Sequence, residues 1–406
     1  MKRLIIAVLC AAPAIIASSQ QNVVKEAEKA MKANKDYVEV LNIIKPAMSN
    51  PETAKSSTTY FIPGQAGFNQ YDRMYGMQQL GRLNDGDEVK MSDALLGGYD
   101  NFIIALSLDT VVDAKGKVKT QHSKKIVDNL KGHYNDFTQA GINFYNAKQF
   151  EKAYKAWEAF VTLSDNAAKY GIEAQPDTVV ANFILNEGLA AWQMNDADLA
   201  AKTFRRAAER GYDKEQVYQY GLSTALAANN PDVLYYFAIK GNEKYGETDN
   251  QYVNSLINYY LQNKKYDDAI KYLDDAISKR PGDAQYYALK GIILEDQEDM
   301  PQAMEYYKKA VELNPENGLA NYYYGRGIAI ETGNKSDAFP GEAAEYQNFF
   351  NKELKPQYEE SVRLLEAAYT QDANNRANIL NLLEQIYYIL NDEAGMESVK
   401  SRRLDD

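Results

Sequence analysis

Apolar and small residues recur along this chain every three to four positions, with polar residues between them, which is the spacing of helices that bury one face. The recurrence is most regular from Asn250 to Asn317, where two consecutive 34-residue stretches carry it in register. Counting from Asn250 and from Ala284, the fourth places hold Val253 and Tyr287, the eighth Ile257 and Gly291, and the eleventh Tyr260 and Leu294. The twentieth places hold Ala269 and Ala303, the twenty-fourth Leu273 and Tyr307, and the twenty-seventh Ala276 and Ala310, before Pro281 or Pro315 at the thirty-second. Each stretch predicts two antiparallel helices. They approach closely only where one presents Gly or Ala and the other a bulky side chain, so Gly291 and Ala303 are expected at the crossing, with Leu294 and Tyr307 around it. Proline ends the second helix because it lacks the amide donor and clashes with the preceding turn.

This order of large, small, aromatic, Ala, aromatic, Ala and Pro at a 34-residue period resembles the tetratricopeptide-repeat family. The resemblance implies an all-α helical-repeat solenoid of antiparallel helix pairs, used as a binding platform. Read in that register, the chain holds about eight units, some degenerate or interrupted by insertions.

Residues 1–19 read as a signal peptide, with Lys2 and Arg3 ahead of an apolar run from Leu4 to Ile16 and a cut before Gln20. Residues 20–110 are degenerate repeat-like helices. Val24, Ala27, Met31, Tyr37, Val40, Ile44 and Ala47 take the packing places of the first unit. The second unit is predicted as a helix from Thr58 to Phe68 with Gly64 at the close contact, a long insertion over 69–90, and a helix from Ser92 to Asp109. Residues 111–123 form a loop or small hairpin and the strongest internal boundary. Repeats return over 124–247, with the first helix of the unit from Tyr134 to Ala167 beginning early, near Ser123 as its N-cap, and an insertion at 169–177. The unit from Lys214 keeps Val217 and Gly221 but loses the pattern in its second helix, where Val233 and Lys240 replace alanines. After the two regular units of 250–317, the unit over 318–375 is split by an insertion at 331–356, which carries turn residues such as Gly333 and Asn334 and a short helix from Glu342 to Phe350. Its displaced second helix presents Tyr358, Ser361, Leu365 and Ala368. Residues 376–406 are capping helices whose Glu397, Lys400, Arg402 and Arg403 suit a solvated end.

The formal charge of −12 becomes −14 once Lys2 and Arg3 are removed (−12 − 2). That balance argues against nucleic acid, whose phosphates require a basic stripe. No stretch reaches the roughly 18 apolar residues of an integral membrane segment. The single cysteine, Cys10, lies in the signal, so the mature chain is expected to have no disulfide. An export signal ahead of degenerate units with looped insertions resembles the envelope repeat proteins of Bacteroidetes-type bacteria, which implies an exported, periplasmic or envelope-associated protein.

Catalytic chemistry finds little support in the residues. The two histidines, His122 and His133, are too far apart for zinc-ligand spacing. Asn84-Asp85-Gly86-Asp87 reads as a turn, lacking the ligand pattern of a calcium loop. No phosphate loop or nucleophile elbow occurs, and no cofactor or metal is expected. The resemblance places the second, fifth, ninth, twelfth and thirteenth residues of each first helix on the concave face. The predicted partner groove is therefore Gln251, Asn254, Asn258, Gln262, Gln285, Glu295, Asp296, Tyr322 and Arg326, with Trp192 upstream. Ile142, Leu189 and Leu222 make the upstream groove more apolar. An amide ladder such as Asn254 and Asn258 offers donors and acceptors to an extended peptide. The family's carboxylate clamp for chaperone C-termini is not expected: it needs lysine at the fifth place, and that place holds Thr138, Leu185, Tyr218, Asn254, Ala288 and Tyr322. These features predict an exported, non-catalytic protein-interaction scaffold that binds a protein or peptide of unspecified identity, with oligomeric state open. The alternative is a carbohydrate-binding envelope protein.

Overall fold

The computed structural model describes residues 20–112, 116 and 118–405. The predicted signal peptide and Cys10 lie outside these residues. The chain runs through α1 (20–32), α2 (Tyr37–Met48), α3 (Ser57–Gln79) and α4 (Asp87–Leu108) to a two-stranded antiparallel ribbon, β1 (Val111–Val112) and β2 (Val118–Lys119), with Val111 opposite Lys119. It continues through α5 (Ser123–Gly132), α6 (Asp136–Asn146), α7 (Phe150–Asp165), α8 (Ala167–Tyr170), α9 (Asp177–Gln193), α10 (Ala197–Glu209), α11 (Glu215–Ala227) and α12 (Pro231–Tyr245). The remainder is α13 (Gln251–Gln262), α14 (Tyr266–Lys279), α15 (Ala284–Asp296), α16 (Met300–Leu313), α17 (Gly318–Asp337), α18 (Ala343–Phe349), α19 (Lys355–Gln371), α20 (Arg376–Leu390) and α21 (Glu393–Asp405). These helices form two compact units, one ending at Gly241 and the other beginning at Asn242.

In the first unit α6 packs on α7, α7 on α9, α9 on α10 and α10 on α11. A single device sets the close approach. A glycine of the first helix lies under an aromatic ring of the second: Gly64 under Phe102, Gly141 under Trp157, Gly188 under Phe204 and Gly221 under Phe237. A β-carbon at Gly188 would sit 2.6 Å from Phe204 Cε1, well inside the roughly 3.5–4.0 Å that carbon atoms prefer. The Gly221–Phe237 pair corrects the reading of the unit from Lys214. Its twentieth and twenty-seventh places depart from the pattern, but Phe237 occupies the twenty-fourth and is fully buried.

The turn between first and second helix is equally repetitive. Asn34, Lys148, Asn195, Asn229, Lys264, Glu298 and Asn391 all adopt positive φ, between 49° and 65°. At Lys148 the backbone amide donates to Tyr145 O (3.0 Å) and the next amide, Gln149 N, to Phe144 O (2.8 Å). The same pair of bonds recurs at the other repeats, which is the Schellman closure that satisfies the last carbonyls of a helix.

Three expectations change in the first unit. The 69–90 insertion is mostly helix, because Gln70, Tyr71 and Met74 continue the buried face of α3 and shorten the loop to 80–86. Residues 124–146 form two helices rather than one. Ser123 is the first residue of α5 and no cap. Its hydroxyl donates to the buried Asp109 carboxylate (2.6 Å), which also accepts from the amides of Gln121, His122 and Ser123 and from the Ser57 hydroxyl. Burial alone would raise the Asp109 carboxyl, but the Ser123 hydroxyl and the backbone amides outweigh it and hold the group at about 2.

In the second unit the packing places of the regular repeats are buried as spaced, including Val253, Ile257, Ala269, Leu273, Ala303, Tyr307 and Ala310, with Gly291 under Tyr307. Tyr287 is the exception. It is half-exposed, its hydroxyl donating to Pro281 O (3.1 Å), while neighbouring Tyr286 is 1% exposed. Helix α17 runs straight through Gly333 and Asn334, so these residues make no turn. Thr332 and Lys335 both bond Gln357 of α19 (3.1 and 3.0 Å), and Ser336 bonds the Tyr346 hydroxyl of α18 (2.6 Å). The insertion is thereby reduced to a loop at 338–342 and the expected short helix, continuous with α19 through a π-helical turn over Phe350–Leu354. At the chain end, Arg402 pairs with Glu366 (2.7 Å) and Arg403 with Glu384 (2.8 Å).

Candidate protein-interaction face

The groove predicted on the regular repeats is largely bonded to itself. Gln285 is 7% exposed; its side-chain nitrogen donates to Asn254 Oδ1 (2.8 Å) and its oxygen accepts from Asn317 (3.1 Å). This amide ladder joins α13, α15 and the start of α17 rather than facing outward. Glu295 forms an ion pair with Arg326 and accepts the Tyr307 hydroxyl (2.8 Å). Burial and the adjacent Glu295 carboxylate push the Tyr307 phenol well above its ordinary value. Tyr322 is a core residue at 7% exposure, edge-on to Tyr323 at 5.0 Å and packed with Leu354, Tyr358 and Leu365. Its apolar ring is buried because the displaced helix α19 closes over it. Gln251 is half-buried and bonded to Asp249, whereas Asn258, Gln262 and Asp296 are exposed.

An open apolar surface with a recess lies in the first unit, on α6, α9 and α11. A cavity of about 200 Å³ is lined by Ile142, Tyr145 and Asn146 of α6, Trp157 of α7, and Asn186 and Leu189 of α9. The Trp157 ring, 3% exposed, forms its floor; it rests over Gly141 and its indole nitrogen donates to Thr138 O (3.2 Å). Ile142 is 40% exposed. One turn beyond Leu189, Trp192 is exposed and edge-on to Tyr220 at 5.5 Å. Leu222 does not contribute, being buried at 2%; Leu226, one turn later on α11, is the exposed residue. Leu226 holds the thirteenth place counted from Lys214, one of the places expected on the concave face.

Behind this surface lies Glu187, 0% exposed, on α9. It accepts a hydrogen bond from the Arg206 guanidinium of α10, while its other carboxyl oxygen has no hydrogen-bond partner. Burial raises its carboxyl to about 8 against the lowering effect of Arg206. The histidines serve packing. His122 stacks on Phe61 at 4.0 Å and bonds the Thr58 hydroxyl (2.9 Å), and burial pushes its ring below the ordinary value. His133 sits between Asp72 (3.4 Å) and Asp136 (2.9 Å), joining α3 to α6. Among the described residues, no group of three or more His, Cys, Asp or Glu is placed to hold a metal ion, and no helix is long and apolar enough to cross a membrane.

Comparison with known proteins agrees with the repeat pattern. The tetratricopeptide-repeat family profile matches residues 255–318. A TPR repeat-containing protein of Methanocaldococcus jannaschii is 36% identical over 113 residues, which is 26% of this chain and 18% of that protein, so the match spans under a fifth of its length. Among solved structures, YrrB, described as a TPR protein with an unusual peptide-binding site, is similar to 49% of this chain over 96% of its own (15% identity, TM-score 0.30). The C-terminal part of a TPR repeat-containing protein from Cytophaga hutchinsonii aligns with 64% of this chain and 92% of its own (14%, 0.35). A TPR repeats protein from Bacteroides fragilis aligns with 63% of this chain and 98% of its own (17%, 0.33). Repeats of this kind generally mediate protein–protein interaction. Residues 255–318 thus match the tetratricopeptide-repeat family, and the chain folds as a helical-repeat protein of that type.

Proposed function

We propose that this protein is a non-catalytic scaffold, exported to the cell envelope, that holds a partner protein on the face built by α6, α9 and α11. The observation that carries the reading is the cavity between α6, α7 and α9, where Ile142 and Leu189 leave apolar surface open above a rigid tryptophan floor. Exposed apolar surface with a shaped recess is a common mark of an interaction site. The self-bonded amides and ion pair of the regular repeats favour this upstream face over α13 and α15. Export is supported by the charged start and apolar run of residues 2–16.

The test is crosslinked capture from an envelope extract with the native chain and with an Ile142→Asp, Leu189→Asp double variant. Both positions retain solvent contact, so circular dichroism should show an unchanged fold. A partner captured by the native chain and lost with the variant is expected; equal capture by both overturns this site. Amino-terminal sequencing of the protein from its native host tests export, with Gln20 expected as the first residue and an intact Met1 as the contrary result.

A further inference from the structure

We propose that the segment held at this cavity is extended and uncharged, is anchored by one large apolar side chain, and binds almost independently of salt. The proposal rests on the reading of the α6, α9 and α11 face as the partner site. Its basis is a separation of charge between the helices. Beyond their first residues Asp136, Asp177 and Glu215, helices α6, α9 and α11 contain no charged side chain except the buried Glu187. The second helices are the opposite: Glu151, Lys152, Lys155, Glu158 and Asp165 lie on α7, and Asp198, Lys202, Arg205, Arg206 and Glu209 on α10. In a chain with 25% charged residues, three successive first helices whose exposed charges are confined to their first residues leave the lining of the recess without a counter-ion to offer.

That neutrality selects the partner. A charged side chain laid against Ile142, Tyr145 and Leu189 would lose hydration and gain no opposite charge, so charged segments are rejected by desolvation. Association between a neutral segment and a neutral face has no screened attraction to lose, so added salt leaves it nearly unchanged. The size of the recess sets the anchor. An apolar cavity of about 150 Å³ accepts benzene, so about 200 Å³ accommodates one phenyl or branched aliphatic group. The polar rim sets the backbone. The side-chain amides of Asn146 and Asn186 have no hydrogen-bond partner among the described residues. An extended segment brings free N–H and C=O groups to such amides, whereas a helix satisfies its own.

The test is selection of a displayed random dodecapeptide library on the native chain and, in parallel, on the folded Ile142→Asp variant. Sequences enriched only on the native chain are expected to be poor in Asp, Glu, Lys and Arg and to carry one Phe, Leu, Ile or Trp. A synthetic peptide of that consensus is then titrated by the emission of Trp157 and Trp192, the chain's two tryptophans. Its Kd should change less than about twofold between about 0.05 and 0.5 M salt, and binding to Ile142→Asp should weaken at least about tenfold. Enrichment of charged sequences, a steep salt dependence, equal enrichment on the variant, or no enrichment each overturns the proposal. If envelope capture is lost with the Ile142→Asp, Leu189→Asp variant but the library selects charged sequences, the scaffold reading stands and only the chemistry assigned to the partner falls.

Discussion

Replacing Gly188 by alanine tests whether glycine under an aromatic ring is what allows the repeats to close. Alanine in place of glycine inside a helix ordinarily stabilises by about 1 kcal/mol. At Gly188 the added methyl would lie 2.6 Å from Phe204 Cε1 and 2.7 Å from Cδ1. The ring would have to retreat by about 1 Å to restore normal contact. It has no free space to do so, since Phe204 is fully buried with Ala200 and Ala207 beside it on α10. Overpacking of this kind costs about 1–3 kcal/mol, so the net effect should be a destabilisation of up to roughly 2 kcal/mol in place of the usual gain. Gly76, inside α3, is the control: nothing lies within 4 Å of the place an added methyl would take, and Gly76→Ala should stabilise by about 0.5–1 kcal/mol. Urea unfolding followed by circular dichroism reads both, because the two glycines belong to the same compact unit. Combining Gly188→Ala with Phe204→Leu should recover about 1 kcal/mol relative to additivity. A Gly188→Ala protein as stable as Gly76→Ala would refute the steric account.

Three further outcomes follow from other parts of the chain. The Asp109 carboxyl lies at about 2 when folded against 3.8 ordinarily, so its stabilisation is complete above pH 3.8 and is lost as pH falls through about 2. Asp109→Asn should therefore cost roughly 2 kcal/mol near neutral pH, and thermal melts at low pH should show the gap closing. Glu187 has the reverse sign. Its folded value is raised from 4.5 to about 8, so the native state keeps the proton longer and stability should decline as pH rises between those values. Glu187→Gln should remove that slope; an unchanged slope would show that another group causes it. Finally, Lys264 and Glu298 occupy left-handed turn positions, where glycine avoids the side-chain clash. Lys264→Gly and Glu298→Gly should each stabilise by roughly 0.5 kcal/mol, net of glycine's greater freedom when unfolded, while alanine at either position should bring no gain in the same melts.

The spacing of small and large residues was sufficient to place the regular helix pairs, because close helix crossings demand glycine or alanine opposite a bulky residue. Gly291 and Tyr307, or Gly141 and Trp157, are visible as pairs from their spacing alone. Where one member changed type, the pattern still held in space: Phe237 closes over Gly221 although its flanking alanines are gone. Local signals failed where distant contacts outweighed them. Gly333 and Asn334 are turn residues by preference, yet Gln357 and Tyr346 hold that stretch of α17 helical from other elements. Ser123 looks like a cap until Asp109 takes its hydroxyl and the surrounding amides.

The candidate site divides in the same way. Its residue types and its first-helix positions are properties of the sequence, and so is the scarcity of charge along α6, α9 and α11 beyond their first residues. Which of those positions remain open was decided only by tertiary structure. Periodicity assigns a side chain to a helix face, but whether that face meets solvent depends on what the next helix carries. Asn254 and Gln285 bond one another across neighbouring repeats, and Tyr322 disappears beneath α19. Ile142 and Leu189 flank a recess because Trp157 folds down onto Gly141 and leaves the space above it unfilled.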